Sequence, residues 1–105
     1  MEIFMNQLPY AVGVIWYKNK EDFIKARAIF TDAFLLPDTY EEFLTGFAEI
    51  ESRVKASGKI MVKAELNPAT FPGWCKERSL NVDANGRIAW ANEKAVEFLK
   101  ESGKL

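Results

Sequence analysis

LPDTYEEFLTGFAEIESRVKASGKIMVKAEL, residues 36–66, reads as one complete helix-then-strand unit and decides the fold class. Thr39 and Glu42 have the spacing of a capping box, in which the hydroxyl accepts from the Glu42 amide and the carboxylate reaches back. Pro37 closes off whatever precedes it. Tyr40, Phe43, Leu44, Phe47, Ile50 and Val54 then fall at three-and-four spacing, one apolar stripe along a helix, with Glu41, Glu49, Glu51, Arg53 and Lys55 elsewhere. Gly58 follows a basic last turn and suits the left-handed cap that ends a helix. From residue 59 to 66 the period drops to two, so Ile60, Val62, Ala64 and Leu66 share one side of a strand and Met61, Lys63 and Glu65 the other.

Upstream, YAVGVIWY at residues 10–17 is β-branched and aromatic on both alternating faces, the pattern of a central strand covered on both sides. Residues 1–9 read as a lead-in able to pair as an edge strand or to fray, and Pro9 cannot donate to a ladder. Asn19 is a good cap, with Asp22 three residues on. Phe23, Ala26, Ile29, Phe30, Ala33 and Phe34 supply the apolar face of a first helix. Residues 21–30 and 41–50 share an acidic pair, a Phe and a later Ala. This is the mark of two helices opened by carboxylates at the positive dipole end, not of a duplicated unit.

Downstream, Asn67 and Pro68 mark a turn and residues 71–79 a short helix, with Phe71, Trp74, Cys75 and Arg78 on one face. Residues 80–102 fit two readings. In one, Asp83 caps a long helix whose inner face is Ile88, Ala91, Ala95, Phe98 and Leu99. In the other, Asn85 and Gly86 turn a hairpin between residues 80–84 and 87–91, and a helix starts only near Asn92. The unbroken three-four pattern favours the helix. The expectation is therefore a single α+β domain over residues 1–105, a small sheet packed against helices in the order β-α-α-β-α-α.

Composition bounds the function. A chain of 105 residues that is 49% apolar, with eight Phe, three Trp and three Tyr, can fill one core. Its net charge of −1, from 14 basic and 15 acidic residues that are intermixed, offers no field to attract nucleic acid. The one cysteine, Cys75, has no intramolecular disulfide partner, the start is acidic rather than basic, and the apolar run at residues 10–17 is too short to span a bilayer. A cytoplasmic location, with no membrane association, is the expectation.

Asn81, Asp83, Asn85, Gly86 and Ile88 fall on the first, third, fifth, sixth and eighth positions of a calcium loop of the EF-hand type. However, the first is Asn rather than Asp and the twelfth falls on Asn92 rather than Glu, so no metal is expected there. The absence of His removes the usual general base and the commonest metal ligand. Cys75, beside Trp74 on an apolar face, reads as core. Neighbouring acidic pairs such as Glu41 and Glu42, or Glu49 and Glu51, do not share a helical face. No catalytic residue or cofactor is assigned.

Two resemblances add expectations. VDANGRIAWANEKAVEFL, residues 82–99, resembles the opening of a PAS sensor domain, a strand, an Asp-x-x-Gly turn, a second strand and an Asn-capped helix, which implies a small ligand-sensing module. Trp16, the Leu36-Pro37-x-Thr39-Tyr40-x-x-Phe43 segment, the Pro68-x-x-Phe71-x-x-Trp74-Cys75 segment and Leu80-x-Val82 look like a class of short uncharacterised bacterial proteins often carried on mobile elements, including integron gene cassettes. That resemblance implies a bacterial cytoplasmic protein and carries over no catalytic residues.

Three functions follow in order. The first is a small non-enzymatic binding or interaction protein acting as a homodimer, with Met61, Lys63 and Glu65 on an outer strand as its interface. The aromatics Trp16, Tyr17, Trp74 and Trp90 are its candidate recognition residues, set against a purely structural role. The second is the ligand-sensing module. The third is an enzyme dependent on Cys75.

Overall fold

In a computed structural model, residues 10–103 are described, and the expectation for residues 1–9 lies outside them. The elements are β1 (Ala11–Trp16), α1 (Lys20–Ile29), a single 3-10 turn (Ala33–Leu35), α2 (Tyr40–Ala56), β2 (Ile60–Glu65), α3 (Phe71–Glu77) and α4 (Ala84–Glu101). This is the α+β order expected.

The central unit forms as its local chemistry dictates. The Thr39 hydroxyl accepts from the Glu42 amide at 3.1 Å, the N-cap bond expected, and donates to the Glu42 carboxylate at 3.0 Å, so the carboxylate reaches back to the hydroxyl. Phe43, Phe47, Ile50 and Val54 are buried, while Leu44, at the rim of the stripe, is exposed. Gly58 takes φ +82°, the left-handed conformation that releases the chain into β2. Asn19 caps α1 by accepting from the Asp22 amide at 2.8 Å.

β1 and β2 pair in parallel, with Gly13 opposite Val62, Val14 opposite Lys63 and Trp16 opposite Glu65. Parallel strands need a long crossover, here residues 17–59 with α1 and α2. Side chains alternate across the sheet, so the two faces are read directly from contacts. Trp16 meets Phe47 with ring centroids 4.7 Å apart, which puts α2 on the face of Val12, Val14 and Trp16. Gly13 backs onto Ala91, which puts α4 on the other. The sheet is thus the middle of three layers, and α3 joins them through Phe71, whose ring lies 5.9 Å from Phe30 and 5.6 Å from Trp90.

The expectation at residues 30–35 needs correcting, while of the two readings of residues 80–102 the favoured helix is the one observed. The first helix stops at Ile29, because Phe30 turns extended and the Thr31 amide donates to the Val82 carbonyl at 3.0 Å. Phe34 therefore lies outside the helix and is exposed. Residues 84–91 are helix, not hairpin, with Asp83 as the cap accepting from the Asn85 amide at 3.0 Å. The strand-turn-strand that the PAS resemblance requires is absent from this stretch.

A methyl group on Gly13 would fall on the Ala91 carbonyl oxygen and lie 2.7 Å from its carbon, both of them backbone atoms that no rotamer change can move. Gly13→Ala is expected to lower stability by about 3 kcal/mol, the upper range for overpacking, because α4 must lift off the sheet. Urea unfolding checks this, and an unchanged midpoint would mean that α4 does not seat on β1.

Candidate functional site

Among the described residues, β1 pairs along one edge only. Tyr10 and Trp16 turn their carbonyls to β2, accepting from the Ile60 and Leu66 amides at 2.9 Å each. Even-numbered residues therefore face β2. The backbone groups of Ala11, Gly13 and Ile15 point the opposite way, away from β2. Along that edge, between the α2 and α4 layers, runs a partly enclosed cavity of about 60 Å³. Gly13, Val14, Ile15 and Tyr17 form its floor. Phe43, Phe47 and Ile50 come from α2, Ile88 and Ala91 from α4, and Leu36 and Pro37 from the loop before α2. No described residue of β2 lines it.

Two cations complete the wall, Arg27 from α1 and Arg87 from α4, and no acidic side chain is among the described lining residues. Arg87 is buried and its charge is matched by Asp32: Nη1 donates to Oδ1 and Nη2 to Oδ2, both at 2.8 Å, a bidentate fork. Asp32 also accepts from the Ala84 amide at 3.1 Å, at the positive end of α4. The Arg87 hydrogen bonds hold the Asp32 carboxyl below its ordinary range, against partial burial, which acts the other way. The Arg87 guanidinium carbon stands 4.6 Å over the Phe30 ring.

Arg27 is matched less completely. Its Nη2 donates to the Ala33 carbonyl at 2.8 Å and to Asp38 at 3.2 Å, but Asp38 is 84% exposed and its charge is screened. The Arg27 Nε is buried and has no hydrogen-bond partner among the described residues.

The residues expected at a site are mostly placed elsewhere. Tyr17 alone reaches the cavity wall. Trp90 is buried and its indole N–H donates to the Glu65 carbonyl at 3.1 Å, tying α4 to β2. Trp74 is half-buried beneath the Arg78 guanidinium and donates to Glu93 at 3.1 Å. Trp16 lies on the α2 face under Lys63, whose ammonium is 4.3 Å from its ring centre. Met61, Lys63 and Glu65 thus share the α2 face of the sheet, where Met61 packs against the core and Glu65 is exposed.

Cys75 is fully buried. Desolvation, with Asp83 adding to it, pushes its thiol up, away from the thiolate form a nucleophile needs. Gly86, part of the calcium-loop pattern, is instead a close-contact residue: a methyl there would lie 2.5 Å from the Asn81 carbonyl and 2.8 Å from the Cys75 sulfur. Among the described residues there is no cluster of metal-ligating side chains and no helix long and apolar enough to cross a membrane.

Arg27, Asp32 and Arg87 were not marked by any motif. The available signal was a charge on an apolar stripe, since Arg27 follows Phe23 by four residues and Arg87 precedes Ala91 by four.

Asp32→Asn is expected to cost about 3 kcal/mol at neutral pH, because it leaves the Arg87 charge buried without its counter-charge. The folded pKa of Asp32 lies below 3.8, so the contribution of the pair is complete above that value and is lost as pH falls through the lower, folded value. Denaturant unfolding of parent and variant should therefore differ at pH 7 and converge under strongly acid conditions. A gap independent of pH would contradict the pairing.

Comparison with protein-family models, with curated proteins and with solved structures finds no match to this chain.

Proposed function

We propose that this chain is a small non-enzymatic binding protein, cytoplasmic, whose site is the cavity along the edge of β1 that faces away from β2. The observation that carries this is the lining: apolar side chains from three layers and a loop surround a space beside the sheet edge, with polar side chains, among the described lining residues, confined to Tyr17, Arg27 and Arg87. Small-molecule sites have this character, a mostly apolar wall with few placed polar groups. The buried Cys75 thiol and the absence of His supply no nucleophile and base pair to set against it.

Xenon tests the cavity without assuming a ligand, since an apolar protein cavity admits it. Saturable shifts of the Gly13, Ile15, Ile50 and Ile88 amides are expected under xenon pressure by NMR, with Ile88→Phe abolishing them. Small shifts spread evenly over the chain would reject the site.

A second reading concerns self-association. β2 pairs only with β1 among the described residues, and Ile60, Met61 and Val62 are half-buried along it. An unpaired strand edge invites another chain, and a two-fold contact between β2 strands would satisfy both copies at once. Light scattering is expected to give twice the 12.0 kDa chain mass. A single-chain mass across a wide concentration range would reject the dimer.

A further inference from the structure

The lining of the cavity restricts what it can hold. A neutral apolar ligand would leave the buried Arg27 Nε without an acceptor, and an unsatisfied buried donor is costly. A cationic ligand would meet two guanidinium groups and no acidic wall residue among those described. A compact, strongly hydrated dianion would lose its water to a wall made of Phe43, Phe47, Ile50 and Ile88. A singly charged acid with an apolar tail meets every constraint.

The two arginines are not equivalent. Arg87 already holds a bidentate carboxylate at 2.8 Å, so its charge is matched inside the fold. Arg27 has an orphan Nε and a counter-charge, Asp38, that lies in solvent at 3.2 Å. A second carboxylate would form charge-assisted hydrogen bonds there, and these are about twice as strong as neutral ones. With roughly 10–15 Å³ needed for each water-sized group, 60 Å³ holds about four to six of them, the size, carboxylate oxygens included, of an acid with about two to four carbons.

We propose that the cavity binds a short-chain carboxylate, with its tail among Phe43, Phe47, Ile50 and Ile88 and its charged end on Arg27. This rests on the reading of the cavity as the binding site and adds the ligand class. Arg27 is the recognition residue. Asp38 competes with the ligand for the same guanidinium, so removing the Asp38 charge should help binding, which a merely structural role for Arg27 does not require.

The test is an NMR titration of the full chain with sodium butyrate at constant ionic strength, with 1-butanol and inorganic phosphate as comparison probes. Butyrate is expected to shift the Gly13, Ile15 and Ile88 amides saturably, with 1-butanol about tenfold weaker, the ratio that a charge-assisted contact of roughly 1.4 kcal/mol produces, and phosphate silent there. Arg27→Gln should erase the preference for butyrate over butanol, and Asp38→Asn should tighten butyrate a few-fold. Equal binding of butyrate and butanol would overturn the carboxylate proposal while leaving the cavity reading in place. Failure of both, together with a silent xenon experiment, would overturn the two together. Should Arg27→Gln not fold, Asp38→Asn decides: the side chain is exposed, and unchanged butyrate affinity in that variant counts against the proposal.

Discussion

The seat of α4 on β1 is the contact on which the rest of this structure depends. A helix backbone can approach a strand this closely only where the strand has no side chain, and Gly13 provides that one gap. Once α4 is seated there, its other contacts follow. Trp90 reaches the Glu65 carbonyl on β2, Arg87 reaches Asp32 in the loop after α1, and Gly86 brings the start of the helix against Cys75 and Asn81. A two-stranded sheet has little stability of its own, so a helix clamped to each face is what makes this one persist. The glycine that permits the clamp also opens the floor of the cavity.

The middle of the chain was legible because its determinants are local. Thr39 and Glu42 bond to each other across three residues, Gly58 lies next to the helix it ends, and the change from a three-four period to a period of two falls at the β2 boundary. The region around residues 80–91 was ambiguous for a physical reason. Asn-Gly is a turn signal when the glycine is needed for its backbone freedom, but Gly86 is helical and is small because Cys75 and Asn81 stand where a methyl group would go. Sequence does not distinguish a glycine chosen for its backbone from one chosen for its volume.

The candidate site was harder to read for a related reason. Its chemistry comes from residues whose partners are far apart in the chain: Arg87 and Asp32 are separated by 55 positions. Aromatic residues are common at recognition surfaces, yet Trp90 is spent on the core, and Tyr17, though buried, alone of the four reaches the cavity. The arginines on the apolar stripes of α1 and α4 carried the more useful signal. A charge on a buried face must be matched, and asking what matches it leads to Asp32 in one case and to an incomplete match in the other.

That asymmetry bears on what the cavity is for. If both arginines served only to hold the α1–α4 corner, economy would favour two closed pairs, since an orphan buried N–H costs more than a bond at that position gains. Arg87 meets this standard, with two 2.8 Å bonds to one carboxylate, while Arg27 has a carbonyl, an exposed acid at 3.2 Å and an Nε with no described partner. Structural ion pairs are retained when complete. An incomplete one, set in a wall that is otherwise apolar and beside strand backbone turned away from β2, has the properties of a group kept for something that arrives from outside the fold.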